Sequence, residues 1–348
     1  MSAPETGGRN RGRRAAVLIA LVGLAVAAGI IGYTGFGNVA GALARIGWLG
    51  LLALCGTYLV PVAILATAWL VLDPEAKLST WWTMFFARLV RDTSAELLPF
   101  SSLGGFVFGA RAAVLGGVRP ALAISTTVVD VTAEFIGQLG FSALGVALLF
   151  YRPEAPPQDL LPTSVLGLGA GLLAAAAFIL LQRRASGPLE RWVASWAPST
   201  LAQQGAVTAS LHSLYQQPLR LIFSSLLHFA AWVLGAVAVW GGLWIVGEHY
   251  SLRSIVGLES VVYVLRTVLF FVPMGLGVIE GGYAAACHLF NVPQEFAVAL
   301  SLVKRARDAA MGLPALALWF RLEGRQLMTS KPLDAPDDPD AGPKAKLP

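Results

Sequence analysis

The sequence predicts an all-α, polytopic helical membrane protein, with about six spanning helices and two broken or re-entrant hairpins arranged as an inverted repeat. Three observations carry this expectation. Of the 348 residues, 56% are hydrophobic and only 13% are charged, with a mean hydropathy of +0.67; soluble domains carry about 25% charged residues. The charge that remains gathers at the ends of apolar runs, where topology signals lie. Two segments, 81–117 and 252–290, each run a helix-length stretch into a proline and then a Gly-rich stretch. Paired interruptions of this kind mark the site of inverted-repeat transporters.

The elements follow in order. A bilayer core needs about 20 apolar residues per helix. Residues 1–14 end in the basic "RNRGRR", which places the N-terminus in the cytoplasm. The run 15–33 is read as an uncleaved first span, and 47–72 as the second. Segment 81–117 starts and ends inside as a hairpin. The helix 120–151 leads out to "RPEAPPQDLLPTS", and 164–182 returns to the basic "QRRASGPLER". In the connector 185–218, "LERWVASW" reads as an interfacial amphipathic helix. Helix 221–247 leads out again, segment 252–290 is a hairpin from the far side, and 294–320 returns. The membrane domain therefore covers 15–325, and both termini are cytoplasmic. The Pro- and Asp-rich tail 326–348 has little to bury and reads as disordered.

In this topology 81–151 and 252–320 contain the same parts in opposite orientation. Pro99 and Pro120 lie 21 residues apart, and Pro273 and Pro293 lie 20 apart.

The stretch "FFVPMGLGVIEGGY", residues 270–283, holds a proline, four glycines and one acid in an apolar setting. Broken backbone at membrane depth is tolerated only inside protein or beside a wet cavity. Pro273 ends the preceding helix, and Gly275 and Gly277 permit a bend. A half-helix is expected to start near Val278, with Glu280 in its first turn, either at the positive end facing the cavity or as a cap near the interface.

Ionisable groups inside a bilayer face partners or water. Asp130 and Glu134 share one helix face and repel unless a cation, a proton or arginine joins them. On the last helix, Lys304 with Asp308 and Arg305 with Asp308 lie at pairing distance. The run "KRAR" is expected towards the outer face, where it attracts an anionic headgroup or pairs with acids such as Glu280. Arg88 and Arg91 read as snorkelling to the cytoplasmic interface. His228 reads as a buried, hydrogen-bonded histidine. An interhelical salt-bridge network that only orders the fold is the alternative role for the whole set.

No HExxH, GxSxG, Walker A or CxxC motif is present, and the four histidines are scattered. No metal or cofactor is expected, and the chain is not expected to be an enzyme. Cys55 and Cys287 lie in apolar runs and suggest small buried hydrophobes. The net charge of +5 follows topology and does not point to nucleic acid as a partner.

The stretch "LLPFSSLGGFVFGARAAVLGGVRPALAISTTVVDVTAEF", followed by "VLFFVPMGLGVIEGGYAAACHLF", resembles the flippase-like membrane family that includes the transmembrane flippase region of lysylphosphatidylglycerol synthetases. The resemblance covers about residues 15–325 and is nearest to the hopanoid-biosynthesis-associated branch. The family's Pro-x-Gly-x-Gly-x-x-Glu signature falls on Pro273, Gly275, Gly277 and Glu280. Its first-half Gly-Glu pair is replaced here by Gly104-Gly105-Phe106. No soluble aminoacyl-transferase domain follows, so the two-part synthetase activity is not expected of this chain. The resemblance implies lipid transport across the bacterial inner membrane, with a hopanoid among the candidate cargoes and lipid-biosynthesis proteins among the candidate partners.

The resulting expectation is a lipid flippase. A headgroup slides through a polar groove between the broken hairpins, contacted by Glu280, Arg305 and Arg111, while Asp130 and Glu134 balance or couple charge. With no nucleotide-binding motif, movement is downhill, ion-coupled or partner-dependent. The alternatives are a membrane transferase and a structural subunit of a lipid-synthesis complex.

Overall fold

The computed structural model describes residues 36–97, 101–151, 205–245, 247–268, 278–290 and 292–329, with scattered positions between 169 and 181. The predicted spans 15–33 and 164–182, and the segment "LERWVASW", lie outside or almost wholly outside these residues. Among the described residues every regular element is helical, and no strand occurs. The elements are α1 (Phe36–Leu72), a 3-10 turn (Leu78–Thr80), α2 (Trp81–Leu97), α3 (Ser101–Leu115), α4 (Pro120–Phe150), α5 (Ala206–Tyr215), α6 (Pro218–Ile245), α7 (Leu252–Val268), α8 (Val278–Leu289) and α9 (Gln294–Thr329).

Among the described residues three helical stretches are long and apolar enough to cross a bilayer: Leu49–Leu72, Pro120–Phe150 and Pro218–Ile245. α4 and α6 each begin on a proline, whose missing amide costs nothing in a first helical turn. α1 extends earlier than the apolar run 47–72 implies. It joins two helices across Gly47, at φ 70° and ψ 170°, a conformation open to glycine and strained for other residues. α9 extends later than expected. It runs through Arg325 to Thr329, into the stretch read as a disordered tail, because "RLEGRQLMT" is rich in helix formers although it has few apolar residues.

Within the described residues α2, α3, α7 and α8 have 17, 15, 17 and 12 residues. At one end of the bundle Arg220, in the first turn of α6, donates to the carbonyl of Val71 at 2.7 Å. Arg119 pairs there with Glu75, and the Thr83 hydroxyl of α2 meets the Gly116 carbonyl after α3. At the other end Arg253 of α7 lies over the ring of Tyr151, which follows α4, and Trp240 of α6 donates to the Tyr250 carbonyl. The first hairpin thus opens at one end of the bundle and the second at the opposite end.

Two apolar clusters match these ends. Trp69, Met84, Ala112, Leu122 and Trp319 pack around the first hairpin. Leu149, Val239, Ile255, Tyr283 and Phe290 pack around the second. α4 and α7 touch almost at backbone level: a Cβ on Gly145 would fall 1.6 Å from the Ser260 hydroxyl. Small residues at such crossings let membrane helices approach where no hydrophobic force drives them together.

Candidate functional site

Two polar centres lie inside this bundle. The first joins α2, α4 and α6. Arg88 and Arg91 are one turn apart on α2, and Asp130 and Glu134 are one turn apart on α4. Facing pairs at helical spacing let each arginine reach both acids. Arg88 Nη1 lies 3.2 Å from Asp130 Oδ2, and its Nη2 lies 2.9 Å from Glu134 Oε1. Arg91 Nη1 bonds the same Asp130 Oδ2, and its Nη2 bonds Glu134 Oε2. Arg88 also donates through Nε to Asp92 at 2.9 Å. From α6, His228 Nε2 meets Asp130 Oδ1 at 2.9 Å. Asp130 and His228 are completely buried, and both arginines are only 2% exposed. The Arg91 guanidinium also lies 4.6 Å from the Phe106 ring centre.

The alternatives left open for Asp130 and Glu134 therefore resolve in favour of arginine. Arg88 and Arg91 do not snorkel to an interface; they turn inward because two buried carboxylates await them. His228 is buried and hydrogen-bonded through Nε2, while its Nδ1 has no partner among the described residues.

The second centre lies where α2, α7 and α8 meet α9. A cavity of about 30 Å³ is lined by Glu96 from the end of α2, Tyr263 of α7, Ile279 and Tyr283 of α8, and Ser301, Lys304, Arg305 and Asp308 of α9. Behind its wall Glu259 is 1% exposed. Lys304 Nζ donates to Glu259 Oε2 at 2.6 Å and to the Tyr283 hydroxyl at 2.7 Å. That hydroxyl donates to Glu259 Oε1 at 2.8 Å. The Lys304 ammonium also stands 5.3 Å and 5.5 Å from the ring centres of Tyr263 and Tyr283, within cation–π range. Arg307 points to another side, 3.7 Å over the Tyr58 ring of α1. It pairs with the adjacent Asp308 at 2.7 Å.

The run from Lys304 to Arg307 is not at an outer face. It begins ten residues into α9, about 15 Å along the helix, and its members face α1, α7, α8 and the cavity. The positive-inside tendency concerns loops, and these cations are interior.

The candidate residues separate accordingly. Asp130 and Glu134 belong to the first centre, and Arg305 and Asp308 line the second. Arg111 joins neither: it bonds Glu323, near the end of α9, through Nε at 3.0 Å and Nη2 at 2.9 Å. Glu280 sits in the first turn of α8, which starts at Val278. Pro273, Gly275 and Gly277 lie outside the described residues. In the first hairpin, a Cβ on Gly105 would fall 2.6 Å from the Arg91 carbonyl. Position 105 is closed to a larger side chain by the packing of α3 on α2. The acid from the first half that borders the cavity is Glu96.

Glu259 is among the acids that an apolar setting singles out as candidates, whereas Tyr283 and the inward role of the two arginines escaped the sequence reading. The complementary i,i+3 arginines and i,i+4 acids were a usable signal. Nothing local announced Tyr283. Among the described residues no cluster of three or more His, Cys, Asp or Glu side chains could hold a metal.

A family model described as "Lysylphosphatidylglycerol synthase TM region" matches residues 20–315. No curated protein and no solved structure matches the chain.

Proposed function

The chain belongs to the family of the lysylphosphatidylglycerol synthase transmembrane region, and on that premise we propose that it is a lipid flippase of the bacterial inner membrane, with both termini in the cytoplasm. The family ties the chain to membrane lipids. One observation supports the finer reading: the hairpins open at opposite ends of the bundle, and arms from both meet α9 around a charged cavity. A spanning bundle has no need of buried cations there, and intramembrane charges mark transport paths.

In this reading a headgroup enters between the hairpin tips while its tails stay in the bilayer. Lys304, Arg305 and Glu280 meet the headgroup. The cavity holds about two water molecules, so its walls part before a headgroup enters. The Arg88–Arg91–Asp130–Glu134 centre keeps α2 fixed on α4 while they do. Arg111 with Glu323 holds α3 to α9. A hopanoid is one cargo to test, and lipid-synthesis enzymes are the partners that would supply it.

The test reconstitutes the purified protein in liposomes with a fluorescent phosphatidylglycerol and bleaches the outer leaflet chemically. Faster exposure of inner-leaflet probe than in empty liposomes supports the reading. A covalently altered probe, detected by mass spectrometry, replaces it with the transferase alternative. No acceleration leaves the structural-subunit alternative.

A further inference from the structure

We infer that Glu259 is the proton-coupling site of this transporter, and that Lys304 exchanges between Glu259 and an anionic headgroup so that one proton travels with each lipid. The inference rests on the flippase reading above and adds to it the source of energy.

The geometry carries it. Lys304 belongs to both compartments. Its side chain is 15% exposed and lines the cavity, yet its ammonium is bonded to a carboxylate that is 1% exposed. Glu259 receives two bonds, one from Lys304 and one from Tyr283, and Lys304 is the only cation bonded to it among the described residues. An anionic headgroup entering the cavity competes for that ammonium. If Lys304 turns to the anion, Glu259 keeps only the neutral phenol of Tyr283. A buried carboxylate stripped of its counter-ion is strongly unfavourable, and a proton is the cation small enough to replace Lys304 there. Cavity water supplies that proton to Oε2, the oxygen that Lys304 leaves.

The surrounding groups favour this exchange at Glu259. On α9 the nearby charges are Arg305, Arg307 and Asp308, with Arg307 committed to Asp308 and Tyr58. α8 brings Tyr283, with Glu280 one turn earlier. α2 brings Glu96 to the cavity. α4 meets α7 through Gln138, whose amide bonds the Tyr263 carbonyl, and Glu134 one turn before it is held by two arginines. α6 meets α7 through Trp232 on Tyr263, and His228 one turn before it is held by Asp130. Glu259 is thus the buried acid whose counter-ion also borders the cavity.

The cycle balances. Headgroup and proton enter together on one side, Lys304 bonding the anion and Glu259 carrying the proton. On the other side the headgroup leaves, the proton returns to water, and the Lys304–Glu259 pair re-forms. Lipid and proton move in the same direction.

The experiment uses the full chain in liposomes with fluorescent phosphatidylglycerol and an imposed gradient of about one pH unit. One proton per lipid sustains a leaflet ratio of up to about tenfold at that gradient. The expected result is accumulation of probe in the leaflet facing the alkaline side. Glu259→Gln is expected to bring the ratio back to one while downhill movement continues. Should that variant fail to fold, wild type under the reversed gradient is expected to accumulate the probe in the opposite leaflet, again the one facing the alkaline side. Wild-type movement with no gradient-dependent asymmetry, or asymmetry that does not invert with the gradient, overturns the coupling and leaves the flippase reading standing. Asymmetry that survives Glu259→Gln overturns the role of Glu259. No movement at all by wild type removes the flippase reading and the coupling with it.

Discussion

Arg111 and Glu323 are far apart in sequence and meet as a two-pronged ion pair, Nη2 to Oε1 at 2.9 Å and Nε to Oε2 at 3.0 Å. The pair fastens the return arm of the first hairpin to the far end of α9. α9 is also bonded to the second hairpin through Lys304 and Glu259. Pro314 lies between these two attachments; an internal proline removes a helix hydrogen bond and lets the helix bend there. The last helix therefore connects both hairpins across a bendable point.

The Arg111–Glu323 pair is expected to contribute little to stability. Its side chains are 29% and 20% exposed. A double-mutant cycle with Arg111→Ala and Glu323→Ala, read by thermal unfolding in detergent, should give a coupling of about 1 kcal/mol. A coupling several times larger would mean that the pair holds the fold together.

The buried centre between α2 and α4 should respond much more strongly. Arg91→Met leaves two carboxylates to share Arg88, a loss of about 3–5 kcal/mol. Asp130→Asn should destabilise more than Glu134→Gln, because Asp130 is fully buried and bonded to three cationic or polar partners while Glu134 is 19% exposed. Yield of folded protein and unfolding temperature check the order. Stable variants that lose only lipid movement would move this centre from scaffold to mechanism.

Gly105→Ala tests the closed position in the first hairpin. Its new methyl would stand 2.6 Å from the Arg91 carbonyl. Forcing α3 away from α2 should cost about 1–3 kcal/mol, and Gly105→Glu should cost more. An unfolding temperature equal to wild type would show that the hairpin opens freely at this level.

Glu280→Gln should leave the unfolding temperature unchanged and slow lipid movement in the liposome assay. Glu280 stands in the first turn of α8, where a negative side chain meets the positive end of the helix. The amide keeps the shape and removes the charge. Normal movement by a well-folded variant removes Glu280 from the mechanism.

Much of the scaffold could be read directly. Pro120 and the apolar run after it set α4 almost to the residue. The paired helices of segments 81–117 and 252–290 were legible because each segment carries a proline and glycines between two helix-length stretches. Depth was not legible. Arg88 and Arg91 lie in "RLVRD", which looks like an interfacial edge until the acids on α4 are set opposite. The partners of Lys304 sit 45 and 21 residues away, and no local pattern joins them. The late end of α9 was hidden because the extension is helical with few apolar residues.

The arginine–carboxylate centre also sets an order for synthesis. α2 carries its two arginines and α4 its two acids, and each set is expensive to leave alone in lipid. The two helices must therefore leave the insertion machinery together, pairing as they enter the bilayer. His228 arrives with α6, long after α4 has been made, so Asp130 waits for its last partner until the second half of the chain is inserted. Ribosome pausing or truncation between these two helices would release a half-built membrane domain with one acid short of its final partner, a natural degradation mark for membrane quality control.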